Sequence, residues 1–159
     1  MLLEAKACPA KKATPTKGGR ISMPFWRCNY HVIWATQYRQ PVITPEMEQL
    51  IQSTIKHKST ALECPILAIN GISDHVHVAV RIPPKRAPAD WVRQVKGLSA
   101  HEVNAMFPDL PSMFKWQSGY GILTFGEKHI PFIVDYITGQ KEHHANDTFE
   151  PYLERVSEA

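Results

Sequence analysis

The chain has 159 residues, of which 43% are hydrophobic and 21% are charged. This length and composition are typical of one globular domain and exclude an intrinsically disordered chain. The net charge of +3 is compatible with a nucleic-acid partner but does not require one. No stretch approaches the roughly 18 apolar residues of a membrane helix, and no signal-peptide core is visible, so we predict a cytoplasmic protein without membrane contact.

The N-terminal segment over 1–22 is basic and has no apolar periodicity. Its lysines and its arginine alternate with Pro, Thr and Gly, which is typical of a poorly ordered arm. A solvated tail and a basic arm that contacts DNA are both open interpretations. We therefore divide the chain into a disordered arm over 1–22 and a single domain over 23–159.

Hydrophobic periodicity predicts seven elements after this arm. Thr44 is a good N-cap for the first helix, and Asn70-Gly71 predicts the tight turn of a hairpin. Gly97 predicts an interruption in the second helix, which the capping-box pattern of Ser99 and Glu102 then restarts. The predicted elements are a strand over 30–36, a helix over 45–63, strands over 66–69 and 73–80, a helix over 89–106, a strand over 116–125 and a helix over 131–144.

The predicted order of elements is therefore β-α-β-β-α-β-α. Its first six members are those of a ferredoxin-like antiparallel sheet with helices on one face, so the predicted fold class is α+β. The C-terminal helix is the unusual part, because the sheet does not determine what this helix packs against. We treat residues 145–159 as a tail of uncertain structure.

Four of the eight histidines form two tight clusters, His75 with His77 and His143 with His144. His75 and His77 are two residues apart on a predicted strand, so their side chains point to the same face, with Cα atoms about 6–7 Å apart. Two imidazoles on a rigid strand are half of a metal site, which carboxylate, amide or water ligands must complete. The alternative is two unrelated histidines on a polar face. A histidine-triad nucleotide hydrolase is excluded, because Ala79 occupies the position of its next histidine.

A second pair of polar side chains lies on the last predicted helix. Tyr136 and Gln140 are four residues apart and should share one helix face. Ile133, Val134 and Ile137 form an apolar stripe beside them. On its own, a helical tyrosine of this kind is more often part of a core or an interface than a nucleophile.

Taken together, these motifs occur in an order and spacing that is specific, although each motif alone is weak. The sequence closely resembles the small single-tyrosine HUH transposases of bacterial insertion sequences, a group that includes the REP-associated tyrosine transposases. The matching stretches are YHVIWATQYRQP at 30–41, DHVH at 74–77, VKG at 95–97 and YIxxQ at 136–140.

The resemblance implies a metal-dependent transferase that cleaves and rejoins single-stranded DNA with hairpin ends. His75 and His77 would be paired ligands of a divalent cation, Mg²⁺ or Mn²⁺, with Gln140 as the third protein ligand. Tyr136 would be the nucleophile, which forms a covalent 5′-phosphotyrosine and frees a 3′-OH. The resemblance also implies a homodimer, in which the tyrosine helix of one copy can complete the histidine site of the other. The protein would act near the nucleoid, in a bacterial or archaeal cytosol.

Basic side chains are candidates for contacts to the DNA backbone, and ordinary surface charge is the alternative interpretation of each. Two other functions also stay open at this point. One is a non-catalytic nucleic-acid-binding ferredoxin-like module, and the other is a metal-dependent phosphodiesterase without a covalent intermediate. The candidate DNA contacts are Arg39, Lys85, Arg86, Arg93, Lys96 and Lys115.

Overall fold

The computed structural model describes residues 25–156, so the basic arm over 1–22 lies outside the described residues. The elements follow the predicted order, except that the last helix is divided in two and short 3-10 turns lie at Gln37–Arg39 and Glu127–His129. The strands are β1 (Asn29–Ala35), β2 (Ile66–Ile72), β3 (His75–Arg81) and β4 (Gly121–Phe125), and the helices are α1 (Pro45–Ala61), α2 (Pro88–Met106), α3 (Ile130–Thr138) and α4 (Gln140–Ala145).

The four strands form one antiparallel sheet in the order β2-β3-β1-β4. This is the predicted ferredoxin-like arrangement, and the α+β class is confirmed. Within residues 25–156, no helix is long and apolar enough to cross a membrane.

The two faces of the sheet bury different sets of side chains. Because side chains alternate along a strand, Val32 and Trp34 of β1 point to one face and pack with α1 and α2 in the main core. The opposite face is covered by α3 and by the C-terminal segment, with Ile137 and Leu153 packed near Ala79 of β3. Strand β3 is therefore buried on both sides. The side chains of His75 and His77 on the second face are therefore shielded from water.

The hairpin turn lies at 73–74, and the prediction of a turn at Asn70-Gly71 is wrong. Both residues are inside β2, where Asn70 pairs with His77 and Gly71 with Val76. A Cβ on Gly71 would lie 2.3 Å from the backbone oxygen of His75. This glycine thus marks a close approach of two strands and not a change of chain direction.

Two further boundaries differ from the prediction. Helix α2 runs through Gly97 without a break, because packing against α1 and the sheet stabilises it over its length. The last strand begins at Gly121, whereas Trp116 forms only an isolated bridge with Thr36. Between them, the carbonyls over 117–119 accept hydrogen bonds from the ammonium of Lys96 in α2.

Candidate active site

The two histidines of β3 lie side by side on the second face of the sheet, as the strand period predicts. His75 is 1% and His77 0% exposed, and their ring centroids are 4.9 Å apart. Nδ1 of His75 donates to Oδ1 of Asp74 over 2.6 Å. Burial lowers the pKa of His75, but its hydrogen bonds to Asp74 and Glu154 offset this effect, and the net pKa is raised. Burial lowers the pKa of His77.

His31 of β1 joins this pair from the neighbouring strand. Its Nε2 lies 2.8 Å from Nδ1 of His77, and the two rings are stacked at 5.1 Å. Burial, with the neighbouring His77, lowers the pKa of His31 to about 3, so the ring is neutral at neutral pH. The sequence analysis missed this residue. Strand alternation and pairing of the first strand with the histidine strand were the signals that could have found it.

Tyr136 reaches the histidines of its own chain. Helix α3 packs against β2 and β3, and the tyrosine ring centroid is 6.0 Å from that of His77. The hydroxyl of Tyr136 donates to Oε1 of Glu154 over 2.5 Å. Burial, together with this hydrogen bond, raises the pKa of Tyr136 to about 12. The phenol is therefore protonated at neutral pH.

Gln140 comes close to the same cluster from a different helix, and the prediction of one continuous helix over 131–144 is wrong. Helix α3 ends at Thr138 and α4 begins at Gln140. A Cβ on Gly139 would lie 3.1 Å from Nε2 of His143, so the glycine permits a close approach at this break. Gln140 is fully buried, and its Nε2 lies 3.4 Å from Oε1 of Glu154. Tyr136 and Gln140 thus meet at one carboxylate without sharing a helix.

Glu154 lies at the centre of the cluster, although it comes from the C-terminal segment. Its Oε2 is 3.2 Å from Nε2 of His75, 3.2 Å from Nε2 of His77 and 3.6 Å from Nε2 of His144. Burial raises the pKa of Glu154, but hydrogen bonds with His75 and His77 outweigh burial, so the net pKa is lowered and the carboxylate is ionised. The sequence analysis missed Glu154 and His144. The cluster at 143–144 was a signal for the histidine, and nothing local marked the glutamate.

These side chains are compatible with a divalent metal ion. Donor atoms of His75, His144 and Glu154 all lie within 4.8 Å of one another. Metal–ligand bonds of about 2.0–2.3 Å place neighbouring donor atoms about 3.0–3.6 Å apart, which matches the contacts of Glu154. Oε1 of Gln140 is buried and has no hydrogen-bond partner among the described residues, so it has lone pairs free for a cation.

The six candidate DNA contacts are placed differently from one another. Arg39 lies beside the cluster, since its guanidinium is 3.7 Å from the carboxylate of Asp74. Lys96 is used inside the chain, where Nζ donates to three backbone carbonyls. Lys115 lines an open groove beside α2. The remaining three form ion pairs, Lys85 with Glu63, and Arg86 and Arg93 with Asp90.

Comparisons with known proteins show the class of enzyme, a transposase that acts on DNA. The family model for IS200-like transposases matches residues 24–140. The chain therefore belongs to the IS200-like transposase family. The transposase of the insertion sequence element IS200 from Salmonella typhimurium LT2 is 30% identical over 121 residues, which cover 74% of this chain and 79% of that protein. The ISDra2 transposase TnpA of Deinococcus radiodurans is 26% identical over 121 residues, which cover 74% of this chain and 86% of that protein.

Two solved structures are similar to this chain. One is a crystal structure of a Deinococcus radiodurans R1 protein assigned as a transposase, with a TM-score of 0.62, 29% identity, and coverage of 79% of this chain and 98% of that chain. The other is the REP-associated tyrosine transposase bound to a REP hairpin, with a TM-score of 0.59 and coverage of 83% of this chain and 76% of that chain. At 13% identity, this second likeness concerns the fold alone.

Proposed function

We propose that this transposase cleaves and rejoins single-stranded DNA through a covalent bond between Tyr136 and a 5′ phosphate. One observation carries the proposal: the hydroxyl of Tyr136 is held 2.5 Å from Oε1 of Glu154, while Oε2 of the same carboxylate faces two histidine nitrogens. A phenol and a set of metal-ligating atoms thus lie in one buried cluster. This is the combination that a metal-assisted tyrosine nucleophile requires.

The reaction of Tyr136 begins from a protonated phenol, because its pKa is about 12. Oε1 of Glu154, which accepts a hydrogen bond from the hydroxyl, is placed to take up its proton. The oxygen attacks phosphorus, the bond from phosphorus to the 3′ oxygen breaks, and that oxygen takes up the proton that Glu154 accepted from Tyr136, or an equivalent proton from water, to become a 3′-OH. The phosphotyrosine keeps the energy of the diester, so a 3′-OH of another strand can reverse the step and join DNA without ATP.

His75, His77 and Gln140 are the residues that we propose to hold the cation. Asp74 is hydrogen-bonded to Nδ1 of His75, and His31 is hydrogen-bonded to Nδ1 of His77. Both histidines therefore direct Nε2 towards Glu154. Such outer hydrogen bonds fix the ring orientation of metal-ligating histidines. Mg²⁺ or Mn²⁺, when bound, would neutralise and polarise the scissile phosphate. The nitrogen donors favour Mn²⁺ or a later metal over Mg²⁺.

We propose single-stranded DNA with hairpin ends as the substrate and a homodimer as the assembly. The hairpin is supported by the resemblance described in the sequence analysis and by the REP-associated tyrosine transposase of similar fold, whose structure contains a REP hairpin. Arg39 is the basic side chain that we expect to contact a phosphate at the site, because it lies beside Asp74. Tyr136 reaches the histidines of its own chain, so we propose that each copy of the dimer carries its own complete site.

The test is a covalent adduct that survives SDS. Wild-type protein with hairpin-bearing single strands and Mn²⁺ should form a protein–DNA adduct, and Tyr136→Phe should form none while it still binds the DNA. Tyr152→Phe is the matched control, because Tyr152 is 64% exposed in the C-terminal segment. Cleavage without an adduct would assign the chain as a phosphodiesterase, and binding without cleavage would assign it as a non-catalytic module. An adduct in the Tyr136→Phe variant would refute the nucleophile.

A further inference from the structure

The C-terminal segment after α4 forms part of the site, although it lies beyond residues 24–140, which match the family. Leu153 is only 9% exposed and packs with Ala79 and Ile137. The backbone N–H of Glu150 donates to the hydroxyl of Tyr136 over 3.1 Å, and that of Leu153 donates to the carbonyl of Glu150 over 2.9 Å. These contacts fix the segment on the sheet and direct Glu154 into the histidine cluster.

We propose that Glu154 is a protein ligand of the divalent metal and that His144 is a second ligand from the same C-terminal region. The inference rests on the proposed function in one respect, namely that the cluster binds the metal. Family resemblance implied a set of His75, His77 and Gln140, which contains no charged ligand. The C-terminal region adds a carboxylate and an imidazole to that set.

The distances support ligation by Glu154. Its Oε2 lies 3.2–3.6 Å from Nε2 of three histidines, which is the spacing of donor atoms around one ion. Nε2 of His144 is buried and has no hydrogen-bond partner among the described residues, although it faces this carboxylate. A cation among these atoms would satisfy a nitrogen that the protein alone leaves without a partner.

The charge of the set also supports the inference. Imidazole and amide donors are neutral, so electrostatic attraction from an anionic side chain would offset part of the cost of placing a divalent ion in this buried cluster. Asp74 contacts Nδ1 of His75, which faces away from the cluster, whereas Glu154 contacts Nε2 of both His75 and His77. Among the residues over 25–156, Glu154 is thus the carboxylate placed for direct ligation. A mixed set of imidazole and carboxylate suits Mn²⁺.

The opposite role is a carboxylate that occupies the histidines and keeps the metal out. The two roles predict opposite effects of Glu154→Gln, which keeps the size of the side chain and removes its charge. If Glu154 is a ligand, the Glu154→Gln variant should bind the metal more weakly than the wild type. If Glu154 competes with the metal, the variant should bind it more tightly. The position of Glu154 favours the first role, because withdrawal of its carboxylate would also break the hydrogen bond to Tyr136.

The experiment measures Mn²⁺ binding to the full-length, DNA-free protein by isothermal titration calorimetry and by the EPR signal of free Mn²⁺. We expect Glu154→Gln to weaken binding by at least about tenfold, which is the lower limit for loss of an outer-shell partner. Glu142→Gln is the matched control, since it removes an exposed carboxylate from α4, close to His144, and should bind Mn²⁺ like the wild type. His144→Gln should weaken binding without loss of the carboxylate, and it keeps the test decisive if Glu154→Gln does not fold.

The results separate this inference from the proposed function. Weaker Mn²⁺ binding in Glu154→Gln supports the ligand assignment, whether or not the wild type forms a DNA adduct. A wild-type adduct, combined with Glu154→Gln and His144→Gln variants that bind Mn²⁺ as tightly as the wild type or more tightly, leaves the proposed function intact and overturns the inference. Failure of the wild type to bind Mn²⁺ overturns it as well.

Discussion

Nε2 of His31 lies 2.8 Å from Nδ1 of His77, and this hydrogen bond joins the first strand of the sheet to the histidine strand. When Nε2 of His77 binds a cation, its Nδ1 must carry the ring proton and donate it to His31. His31 is able to accept, because burial and the neighbouring His77 keep its pKa at about 3 and its ring neutral. The pair therefore fixes the orientation of one proposed metal ligand through a residue that touches no metal.

Removal of this support should weaken metal binding without loss of the fold. We expect His31→Gln to lower the Mn²⁺ affinity by about 10–100-fold, the range typical of outer-shell partners of metal-ligating histidines. Calorimetry of the DNA-free protein measures the affinity, and circular dichroism checks the fold. His57→Gln, at an exposed position of α1, is the control and should bind Mn²⁺ like the wild type. Equal affinities of the His31 variant and the wild type would argue against the positioning role.

Loss of a ligand itself should separate catalysis from DNA binding. We expect His75→Ala or His77→Ala to abolish adduct formation and to change DNA affinity little, because phosphate contacts of Lys and Arg carry most of that affinity. Fluorescence anisotropy with a labelled hairpin strand measures binding, and an SDS gel measures the adduct. His101→Ala, at an exposed position of α2, is the control. If both ligand variants still bind Mn²⁺ like the wild type, His75 and His77 are not ligands.

Alanine substitutions at two glycines should change the free energy of unfolding in opposite directions. A Cβ on Gly71 would lie 2.3 Å from the backbone oxygen of His75, so Gly71→Ala should destabilise the fold by about 1–3 kcal/mol, as overpacking does. A Cβ on Gly97 would meet nothing within 4 Å, so Gly97→Ala in α2 should stabilise the fold by about 0.5–1 kcal/mol. Urea denaturation of the two variants measures both changes. A stable Gly71→Ala protein would contradict the close strand approach.

The same glycines show why the sequence predicts the elements better than their boundaries. Strand alternation and helical periodicity are local properties, and they correctly predict the fold class and the shared face of His75 and His77. A glycine in a sequence does not distinguish a turn, a helix break and a close backbone approach, because all three are favoured by the absence of a side chain. Tertiary contacts decide among these outcomes, with a neighbouring strand at Gly71 and open space at Gly97.

The candidate site was predictable only where its residues follow a local pattern. His75, His77, Tyr136 and Gln140 belong to short motifs, and the structure brings all four together. Glu154 is separated from His77 by 77 positions and reaches the cluster because Leu153 is buried beside α3. No periodicity in the C-terminal segment records that docking. His31 was missed for a related reason, since its role depends on the pairing of β1 with β3.

Lys96 should act as a structural residue and not as a DNA contact. Its ammonium donates to the carbonyls of Gln117 and Gly119 over 2.8 Å each and to that of Ser118 over 3.3 Å. Lys96→Met should increase amide hydrogen exchange over 117–120 and leave the salt dependence of DNA binding unchanged. A phosphate contact would instead lower the logarithmic salt slope by about 0.7 on single strands. Arg93→Met, on the exposed side of the same helix, should leave the exchange unchanged.

Because the histidines and the tyrosine of one site belong to one chain, a mixture of two inactive variants should not recover activity. His77→Ala keeps the tyrosine and Tyr136→Phe keeps the histidines, and each variant alone should form no adduct. Tyr136 lies against His77 of its own chain, with ring centroids 6.0 Å apart. In a mixed dimer built from such chains, every site still lacks one of the two residues. Co-refolded mixtures should therefore stay inactive at every ratio, measured by adduct yield on an SDS gel.

A dimer that exchanges its tyrosine helices would behave differently, because one of its two sites would then contain both residues. A mixture that recovers a measurable share of wild-type adduct would show that α3 leaves its own sheet and docks on a second copy, as the family resemblance implied. A co-refolded mixture of wild type and Tyr136→Phe is the control for the refolding step, and it should form adduct in proportion to its wild-type content.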